Sequence, residues 1–274
     1  MPPREELAMA VDEHRAALKA MFPLPPPRAP RRKQAAVAGA VLALLVCAGL
    51  WWLDPVYHHE EFATRIGQIV DIQLADASHV VLDTNTRLNV QWRLRSRRME
   101  LAQGRAHFDV AHSSLRPLFV DAGPAQVRVV GTHFDVWRQT AATQVSVYQG
   151  KVAVWRSGSM PDSGIVLTPL QQTTVSAAGA ETLPLQARAL ENAERQVWRQ
   201  GRLVFSDTPL DEVIATLQRY RSQPLTLSDR RLAGLTVSGV FDAANIGQLL
   251  AMLPETLPVA LRRTSDGGTE IRPR

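Results

Sequence analysis

The sequence predicts a single-span membrane protein with an all-β domain after the span, followed by a small α+β domain. Three observations support this fold class. A run of 20 residues without a charged side chain lies between residues 34 and 53. Short segments in which apolar and polar residues alternate occupy residues 62–176, as expected for strands. After residue 185, helical and strand-like patterns alternate, which is typical of an α+β unit.

Composition and charge exclude several classes of protein. The 274 residues are 45% hydrophobic, which excludes a wholly disordered, collagen-like or polytopic membrane chain. The single cysteine, Cys47, excludes a disulfide scaffold and a cysteine-based zinc finger. Residues 1–33 carry a net charge of +3 and the remainder only +2. The basic pI is therefore not the footprint of a nucleic-acid-binding surface, and no direct nucleic-acid partner is expected.

The uncharged run at residues 34–53 has the features of a transmembrane helix. Twenty helical residues extend about 30 Å, the hydrocarbon thickness of a bilayer. Arg31, Arg32 and Lys33 precede the run, and Trp51 and Trp52 lie at its far end, which predicts a cytoplasmic N-terminus. The alternatives are a buried helix of a soluble protein and a cleaved signal peptide. No small-x-small cleavage site follows the run, so a permanent anchor is favoured.

The first 33 residues are predicted to form a cytoplasmic tail with an amphipathic helix over residues 4–21. Its apolar face contains Leu7, Ala10, Val11, Leu18 and Met21. A lone helix has no core of its own, so it must lie on a membrane, bind another protein or stay partly unfolded. Four acidic residues on its polar side make an anionic membrane a poor partner, which favours insertion into a protein groove.

Residues 60–176 are predicted to be all-β, as a stack or sandwich of short strands. The predicted strands are Gln68–Leu74, His79–Leu82, Arg98–Leu101, Ala106–Val110, Leu118–Asp121, Gln126–Val130, His133–Arg138, Gln144–Tyr148 and Val152–Trp155. A weak repeat places His107-Phe-Asp-Val110 and His133-Phe-Asp-Val136 26 residues apart. Strand alternation predicts His107 and Asp109 on the solvent face and Phe108 in the core, so a metal site is not expected.

Residues 185–274 are predicted to form the α+β domain. Helices are expected over 187–199, 209–220 and 244–252, with strands over 202–205, 225–227, 236–241, 258–263 and 269–272. Thr208 and Asp242 are predicted helix N-caps, with Pro209 at the first helical position. Five apolar side chains are expected to fill the core of this domain, namely Trp198, Leu203, Phe205, Leu210 and Val213.

Five ordered segments of the predicted β region resemble the FecR domain. They are Gly67–Leu88, Met99–Val110, Arg116–Val120, Val130–Val136 and Val147–Val152. The first resembles the pattern G-x-x-x-x-x-x-L-x-D-G-S-x-V-x-L-N-x-x-S-x-L, and the second resembles V-x-L-x-x-G-E-A-x-F-D-V. The chain departs from these patterns at four positions: Ala77 for glycine, Asp83 for asparagine, Thr86 for serine and Arg105 for glutamate.

The residues after 198 resemble the carboxy-terminal region of FecR proteins, which is similar to the small secretin and TonB short N-terminal fold. The matching segments are Trp198–Phe205, Thr208–Val213, Arg219–Arg221 and Leu232–Phe241. In that family the region lies against the periplasmic signalling domain of an outer-membrane receptor. The resemblance therefore implies receptor binding, for which the candidates are Arg219, Arg221, Arg230 and Arg231. Such charges more often form a solvated surface.

The resemblance implies a transmembrane anti-sigma factor in a bacterial inner membrane, with a cytoplasmic N-terminus and a periplasmic C-terminus. Such a protein relays ligand occupancy of a TonB-dependent outer-membrane receptor to an extracytoplasmic-function sigma factor, and so controls iron-uptake genes. No cofactor, metal or enzymatic turnover is expected. The tail is shorter than in the family and lacks its tryptophans, so sigma binding by residues 4–21 is a hypothesis. The alternative is an anchored periplasmic structural or docking protein.

A second hypothesis concerns Gly131-Thr132. The Thr132 hydroxyl would attack the carbonyl carbon of Gly131, and hydrolysis of the resulting ester would cleave the chain once. Self-cleavage at such a dipeptide resembles behaviour ascribed to some family members. The alternative is that Gly131 only allows a tight turn between two strands.

Overall fold

The computed structural model describes residues 14, 15, 17–21, 31–177, 184–190 and 193–274. The chain divides into two compact units, residues 1–53 and 54–274. Each unit is considered by itself below.

The N-terminal unit is helical wherever it is described. Residues 14, 15 and 17–21 are helical, and Leu18 and Met21 are 56% and 74% exposed. The predicted binding residues Leu7, Ala10 and Val11 lie outside the described residues. Helix α1 spans Arg31–Leu53, and its segment Ala36–Leu53 is long and apolar enough to cross a membrane. Among the described residues this is the single candidate span, in agreement with the sequence.

The second unit begins with a β domain, and the mostly β architecture predicted for it is confirmed. Its strands are β1 (Val56–Ala63), β2 (Val70–Gln73), β3 (His79–Leu82), β4 (Arg87–Arg93), β5 (Arg97–Asp109), β6 (Leu118–Ala122), β7 (Ala125–Val129), β8 (His133–Arg138), β9 (Ala142–Gln149), β10 (Val152–Arg156), β11 (Ile165–Leu167), β12 (Gln171–Ser176) and β13 (Arg188–Ala189). One sheet has the order β1-β4-β5-β6-β7-β10-β11, and the other has the order β2-β3-β5-β8-β9-β12-β13. Only β5 and β6 pair in parallel within these sheets.

Strand β5 belongs to both sheets, and Gly104 is the point at which it turns from one to the other. Residues up to Gln103 pair with β4, whereas Ala106 onward pairs with β3. Gly104 has a φ of +88°, and a side chain there would collide with the backbone of Asn85 and Thr86. Only glycine fits such a position without strain. The predicted strands 98–101 and 106–110 are therefore two halves of one bent strand.

The two sheets enclose one apolar core, in which the two copies of the sequence repeat meet. Strands β5 and β8 pair antiparallel, with Phe108 opposite Phe134. Both rings are completely buried and stack with their centroids 5.1 Å apart. Apolar residues at alternate positions of the neighbouring strands complete this core. The repeat is thus a pair of adjacent strands around a shared aromatic contact.

The chain from residue 193 onward forms a second, smaller core, here called the C-terminal subdomain. Its elements are a 3-10 helix (Ala193–Gln200), β14 (Arg202–Pro209), α2 (Leu210–Arg219), β15 (Leu225–Leu227), β16 (Thr236–Asp242), α3 (Ile246–Thr256), β17 (Val259–Arg263) and β18 (Thr269–Pro273). Strand β14 pairs with β16, while β15, β18 and β17 form a separate three-stranded sheet. Four of the predicted core residues, Leu203, Phe205, Leu210 and Val213, are buried here.

Two local predictions for this region were wrong. The predicted helix over 187–199 begins only at Ala193, because Arg188 and Ala189 instead pair with β12 of the β domain. Thr208 is not an N-cap, because it lies in strand β14 opposite Val237 and helix α2 starts after Pro209. Asp242 does cap the short helical turn that follows it, since its side chain accepts a hydrogen bond from Ala244 N.

Candidate functional sites

A buried carboxylate on the outer face of β8 is the first notable site. The side chain of Asp135 is 4% exposed, and it lies 2.6 Å from Arg105 Nη2 and 2.7 Å from His107 Nδ1. Its Oδ2 also accepts hydrogen bonds from Tyr148 OH and Trp198 Nε1, both at 3.1 Å. Four donors therefore surround this carboxylate. Three come from the β domain, and the fourth, Trp198, comes from the C-terminal subdomain.

The charges in this group fix its protonation. Burial by itself raises the pKa of Asp135, but the charge of Arg105 and the hydrogen bond from His107 lower that pKa to about 2. Arg199 Nη1 lies 2.8 Å from His107 Nε2. Because arginine only donates, Nε2 must accept, which places the imidazole proton on Nδ1, facing Asp135. The group therefore contains an ionised carboxylate and a cationic Arg105, with His107 Nδ1 facing the carboxylate.

A second buried carboxylate, Asp83, follows strand β3. Its side chain is completely buried, with Oδ2 2.6 Å from Arg219 Nη2 and Oδ1 2.8 Å from Tyr220 OH. Thr84 Oγ1 donates to the Arg219 carbonyl oxygen at 3.0 Å and accepts from Gly67 N at 2.7 Å. Burial, followed by the nearby charge of Asp83, raises the pKa of Tyr220, so its hydroxyl stays a donor.

These two groups hold the C-terminal subdomain against the β domain; together they are called the polar junction below. Trp137 links them, because its ring centre lies 5.9 Å from the Arg105 guanidinium and 4.7 Å from the Arg219 guanidinium. A cleft of about 500 Å³ lies beside the junction and is lined in part by Tyr148 and by residues of β14 and α2. The junction is thus a directional, charged contact.

The structure changes the interpretation of the His-Phe-Asp repeat. Alternation does place Phe108 inward, but His107 is 4% exposed and not on the solvent face, because Trp198 and Arg199 cover it. The antiparallel pairing also joins Asp109 to His133 at 3.0 Å, on the more exposed end of the strands. Across the residues that the structure describes, no group of three or more His, Cys, Asp or Glu side chains could hold a metal ion.

The four candidate receptor-binding arginines occupy different environments. Arg219 is turned toward Asp83 and is 23% exposed, and Arg221 is partly buried, with Nη2 3.2 Å from Thr269 Oγ1. Arg230 and Arg231 are exposed in a 3-10 turn, where Arg231 pairs with Asp229 at 3.3 Å. Arg219 and Arg221 are therefore bound to buried side chains, whereas Arg230 and Arg231 are exposed to solvent.

The Gly131-Thr132 dipeptide lies in the connection between β7 and β8. Thr132 is 3% exposed, and its Oγ1 has no hydrogen-bond partner among the described residues. A side chain at position 131 would come 2.8 Å from His112 Nδ1, so the imidazole packs directly against this glycine. The Thr132 carbonyl oxygen accepts from Val110 N at 3.0 Å, which holds the connection in place.

Sequence reasoning did not assemble the polar junction, although a signal was present. Asp83 and Arg105 are two of the four positions at which the chain departs from the FecR pattern, and each lies in one of the two buried charged groups. Trp198 was assigned only a core role. It is buried at 3%, but its indole also donates to Asp135.

Comparisons with known proteins agree with this architecture. Residues 60–153 match the model of the FecR protein family. Two crystal structures of a candidate anti-sigma factor from Parabacteroides distasonis ATCC 8503, at 2.50 and 1.65 Å, are similar to this chain with TM-scores of 0.62 and 23% identity. The matches cover 79% and 78% of this chain, and 100% and 99% of theirs. The comparison with curated proteins gives no match.

These findings define the class of protein. Nearly four-fifths of this chain shares its fold with those solved structures. The resemblance to the FecR family drawn from the sequence is supported, because residues 60–153 match the model of that family.

Proposed function

We propose that this protein is a single-pass anti-sigma regulator of the bacterial inner membrane. Its N-terminal tail would bind an extracytoplasmic-function sigma factor in the cytoplasm. Its FecR domain and C-terminal subdomain would lie in the periplasm and engage the signalling domain of a TonB-dependent outer-membrane receptor. Ligand occupancy of that receptor would then control transcription of iron-uptake genes.

The observation that carries this proposal is the order of parts along the chain. The FecR domain begins at residue 60, seven residues after α1 ends at Leu53. Basic residues flank the N-terminal side of the apolar helix, which favours a cytoplasmic tail and an external domain. A sensor-sized module outside and a short helical segment inside are the parts that transmembrane signalling needs.

The direct test is sigma-dependent transcription. Deleting the gene should change a reporter driven by the cognate sigma factor, and the full chain supplied in trans should restore the receptor-dependent response. An anchored docking protein without sigma activity predicts no change in the reporter. That outcome would overturn the anti-sigma proposal and favour the alternative.

The tail is the proposed sigma-binding element because its apolar face has no partner within the helix itself. Leu7→Asp with Val11→Asp should abolish co-purification of the sigma factor, since two charges would replace apolar anchors of a groove-binding helix. Met9→Asp is the matched control, because the helical period of the sequence predicts Met9 off that face. Sigma capture unchanged by the double substitution would contradict the assignment.

Receptor binding is proposed for the exposed arginines of the C-terminal subdomain. Arg230→Ala with Arg231→Ala should weaken binding of the full chain to the receptor's periplasmic signalling domain and reduce its salt dependence. Arg262→Ala with Arg263→Ala on β17 is the control, because these side chains are also exposed but lie in a different element. Equal binding by both double variants would exclude Arg230 and Arg231.

We also propose a single self-cleavage between Gly131 and Thr132, favoured by the buried hydroxyl of Thr132 that lacks a partner among the described residues. Thr132 Oγ1 would attack the Gly131 carbonyl carbon. An ester would replace the peptide bond, and the Thr132 nitrogen would gain the proton that the hydroxyl loses and so become a free amine. Water would then hydrolyse the ester, leaving a carboxylate on Gly131. His112, packed against Gly131, would take up the hydroxyl proton and pass it to the leaving nitrogen.

Mass spectrometry of the purified full chain tests this step. Wild type and Thr132→Ser should contain a fragment ending at Gly131, whereas Thr132→Ala should remain intact. His112→Gln should slow cleavage without affecting folding, because His112 is exposed. A wild-type chain that stays as intact as Thr132→Ala would end the proposal and leave Gly131 as a turn residue.

A further inference from the structure

The first residue after helix α1 is fastened to a loop of the β domain. Asp54 accepts hydrogen bonds from Arg95 N at 2.7 Å and from Ser96 Oγ at 2.6 Å. Burial by itself raises the pKa of Asp54, but the hydrogen bonds from Ser96 and Arg95 lower it overall, so the carboxylate stays ionised and keeps both bonds. The β4–β5 loop is therefore held next to the point at which the chain leaves α1.

A second loop is tied to the first through Arg116. Its Nη2 donates to the Arg93 carbonyl oxygen at 2.7 Å and to Tyr57 OH at 3.0 Å. Arg97 Nε in turn donates to the Arg116 carbonyl oxygen at 3.0 Å. The β5–β6 connection, the β4–β5 loop and the start of β1 thus form one cross-linked end of the β domain.

This end presents apolar side chains to solvent. Leu115 is 91% exposed, Tyr57 is 59% exposed and Leu94 is 47% exposed. These three residues are called the tip cluster here. The cationic side chains of Arg93 and Arg116 lie directly behind them, with Arg116 5.8 Å from the ring centre of Tyr57. Apolar and aromatic tips backed by arginines are typical of surfaces that enter the headgroup region of a membrane.

We propose that the tip cluster docks onto the anionic surface of the membrane leaflet from which α1 emerges. This inference rests on the proposed anchoring by α1. The Cα atoms of Leu53 and Asp54 are joined by one peptide, about 3.8 Å apart. The headgroup region on each side of the hydrocarbon core is roughly 5–8 Å deep. The β4–β5 loop, hydrogen-bonded to Asp54, and the β5–β6 connection, tied to it through Arg116, would therefore lie at headgroup depth. There, exposed leucines gain by leaving water and arginines meet lipid phosphates.

The tip cluster would fix the orientation of the FecR domain on the membrane. A domain attached to α1 through the backbone alone could tumble about the end of that helix. Contacts at two further loops remove that freedom and hold the C-terminal subdomain at a constant angle to the bilayer.

The test uses the full chain with Cys47→Ala, reconstituted in nanodiscs of phosphatidylcholine with or without phosphatidylglycerol. Single cysteines at Leu94→Cys and Leu115→Cys carry nitroxide labels, and their accessibility to oxygen and to a water-soluble nickel chelate is compared. Met160→Cys is the matched control. Met160 is 76% exposed and follows strand β10. Strand β10 ends at Arg156, which pairs with Ala125 at the start of β7. The tip cluster lies near the other end of β7, where Val129 pairs with Leu118.

We expect lipid-like accessibility at positions 94 and 115, stronger with phosphatidylglycerol, and water-like accessibility at 160. Adding Leu115→Asp to the label at 94 should lower its docked population by about tenfold, since one leucine anchor is lost. If the labels at 94 and 115 have water-like accessibility while the chain resists carbonate extraction, the docking proposal is contradicted and the proposed anchoring by α1 stands. Release of the chain from membranes by carbonate would instead contradict the proposed anchoring by α1. Protection that depends on protein concentration and not on lipid charge would indicate a second copy and contradict the proposal.

Discussion

The two faces of strand β8 are buried by different physical means. On the inner face, Phe134 and Val136 are completely buried among apolar side chains of both sheets. On the outer face, Asp135 is equally inaccessible but is surrounded by Arg105, His107 and two further donors. Apolar burial is non-directional, whereas a buried charge is tolerated only when every hydrogen bond is in place. The inner face therefore assembles the β domain, and the outer face fixes one orientation of the C-terminal subdomain.

The largest effect is expected on the inner face. Phe134→Ala should destabilise the β domain by about 3–5 kcal/mol, because it removes a fully buried ring and opens a cavity beside Phe108. Denaturant unfolding of the full chain in detergent, followed by circular dichroism, measures this. Phe134→Leu is the milder control. Equal midpoints for wild type and Phe134→Ala would show that the stacked pair contributes nothing.

On the outer face, Asp135→Ala should cost about 3 kcal/mol, because Arg105 stays buried without this carboxylate. The loss should be local. Hydrogen exchange should rise in residues 193–205 far more than around Phe108, which distinguishes the junction from the core. Uniformly raised exchange across the β domain would contradict the separation of the two faces.

As the pH falls, the contact between the outer face of β8 and the C-terminal subdomain should be lost before the apolar core on the inner face unfolds. The pKa of Asp135 is about 2, below the ordinary value of 3.8. Its contribution, on the order of 2 kcal/mol, is present above pH 3.8 and is lost as the pH falls toward 2. Hydrogen exchange of the C-terminal subdomain at pH 5, 3 and 2 should show this loss in wild type and not in Asp135→Asn. A pH dependence retained by the asparagine variant would assign it to other carboxylates.

The smallest expected effects compare buried with exposed hydrogen bonds in the C-terminal subdomain. Tyr220→Phe should cost about 1 kcal/mol, because it removes one donor from the buried Asp83. Arg231→Ala should change stability by less than about 0.5 kcal/mol, because its side chain is 92% exposed. Thermal unfolding of both variants measures the difference. A larger loss for Arg231→Ala would reverse the ranking of the two environments.

Much of the β domain could be predicted from local pattern alone. Strands β3 and β8 coincide with their predicted ranges, because alternation of apolar and polar residues marks a half-buried strand directly. The bent β5 was divided in two, because Gly104 interrupts the alternation while the backbone continues. Segment 187–199 was assigned to a helix, because its pairing with β12 depends on a partner that local pattern does not reveal.

The residues of the functional sites could be predicted less well from local sequence pattern. Arg219 was chosen as an exposed receptor contact, yet it is bound to Asp83, 136 positions earlier in the chain. His107 was expected in solvent, but residues about 90 positions later cover it. Periodicity indicates which side chains share a face, and it carries no information about which distant segment covers that face.

The sequence by itself determined the single apolar helix, the charge on its flank, the strand content and the FecR motifs, because each depends on residues close together in the chain. The tertiary structure alone decided that Asp83 and Asp135 are buried, which donors they bind, and that the loops of Leu94 and Leu115 are joined through Arg116. Those features arise from contacts between distant segments. The free energy of a buried charge depends on its assembled surroundings.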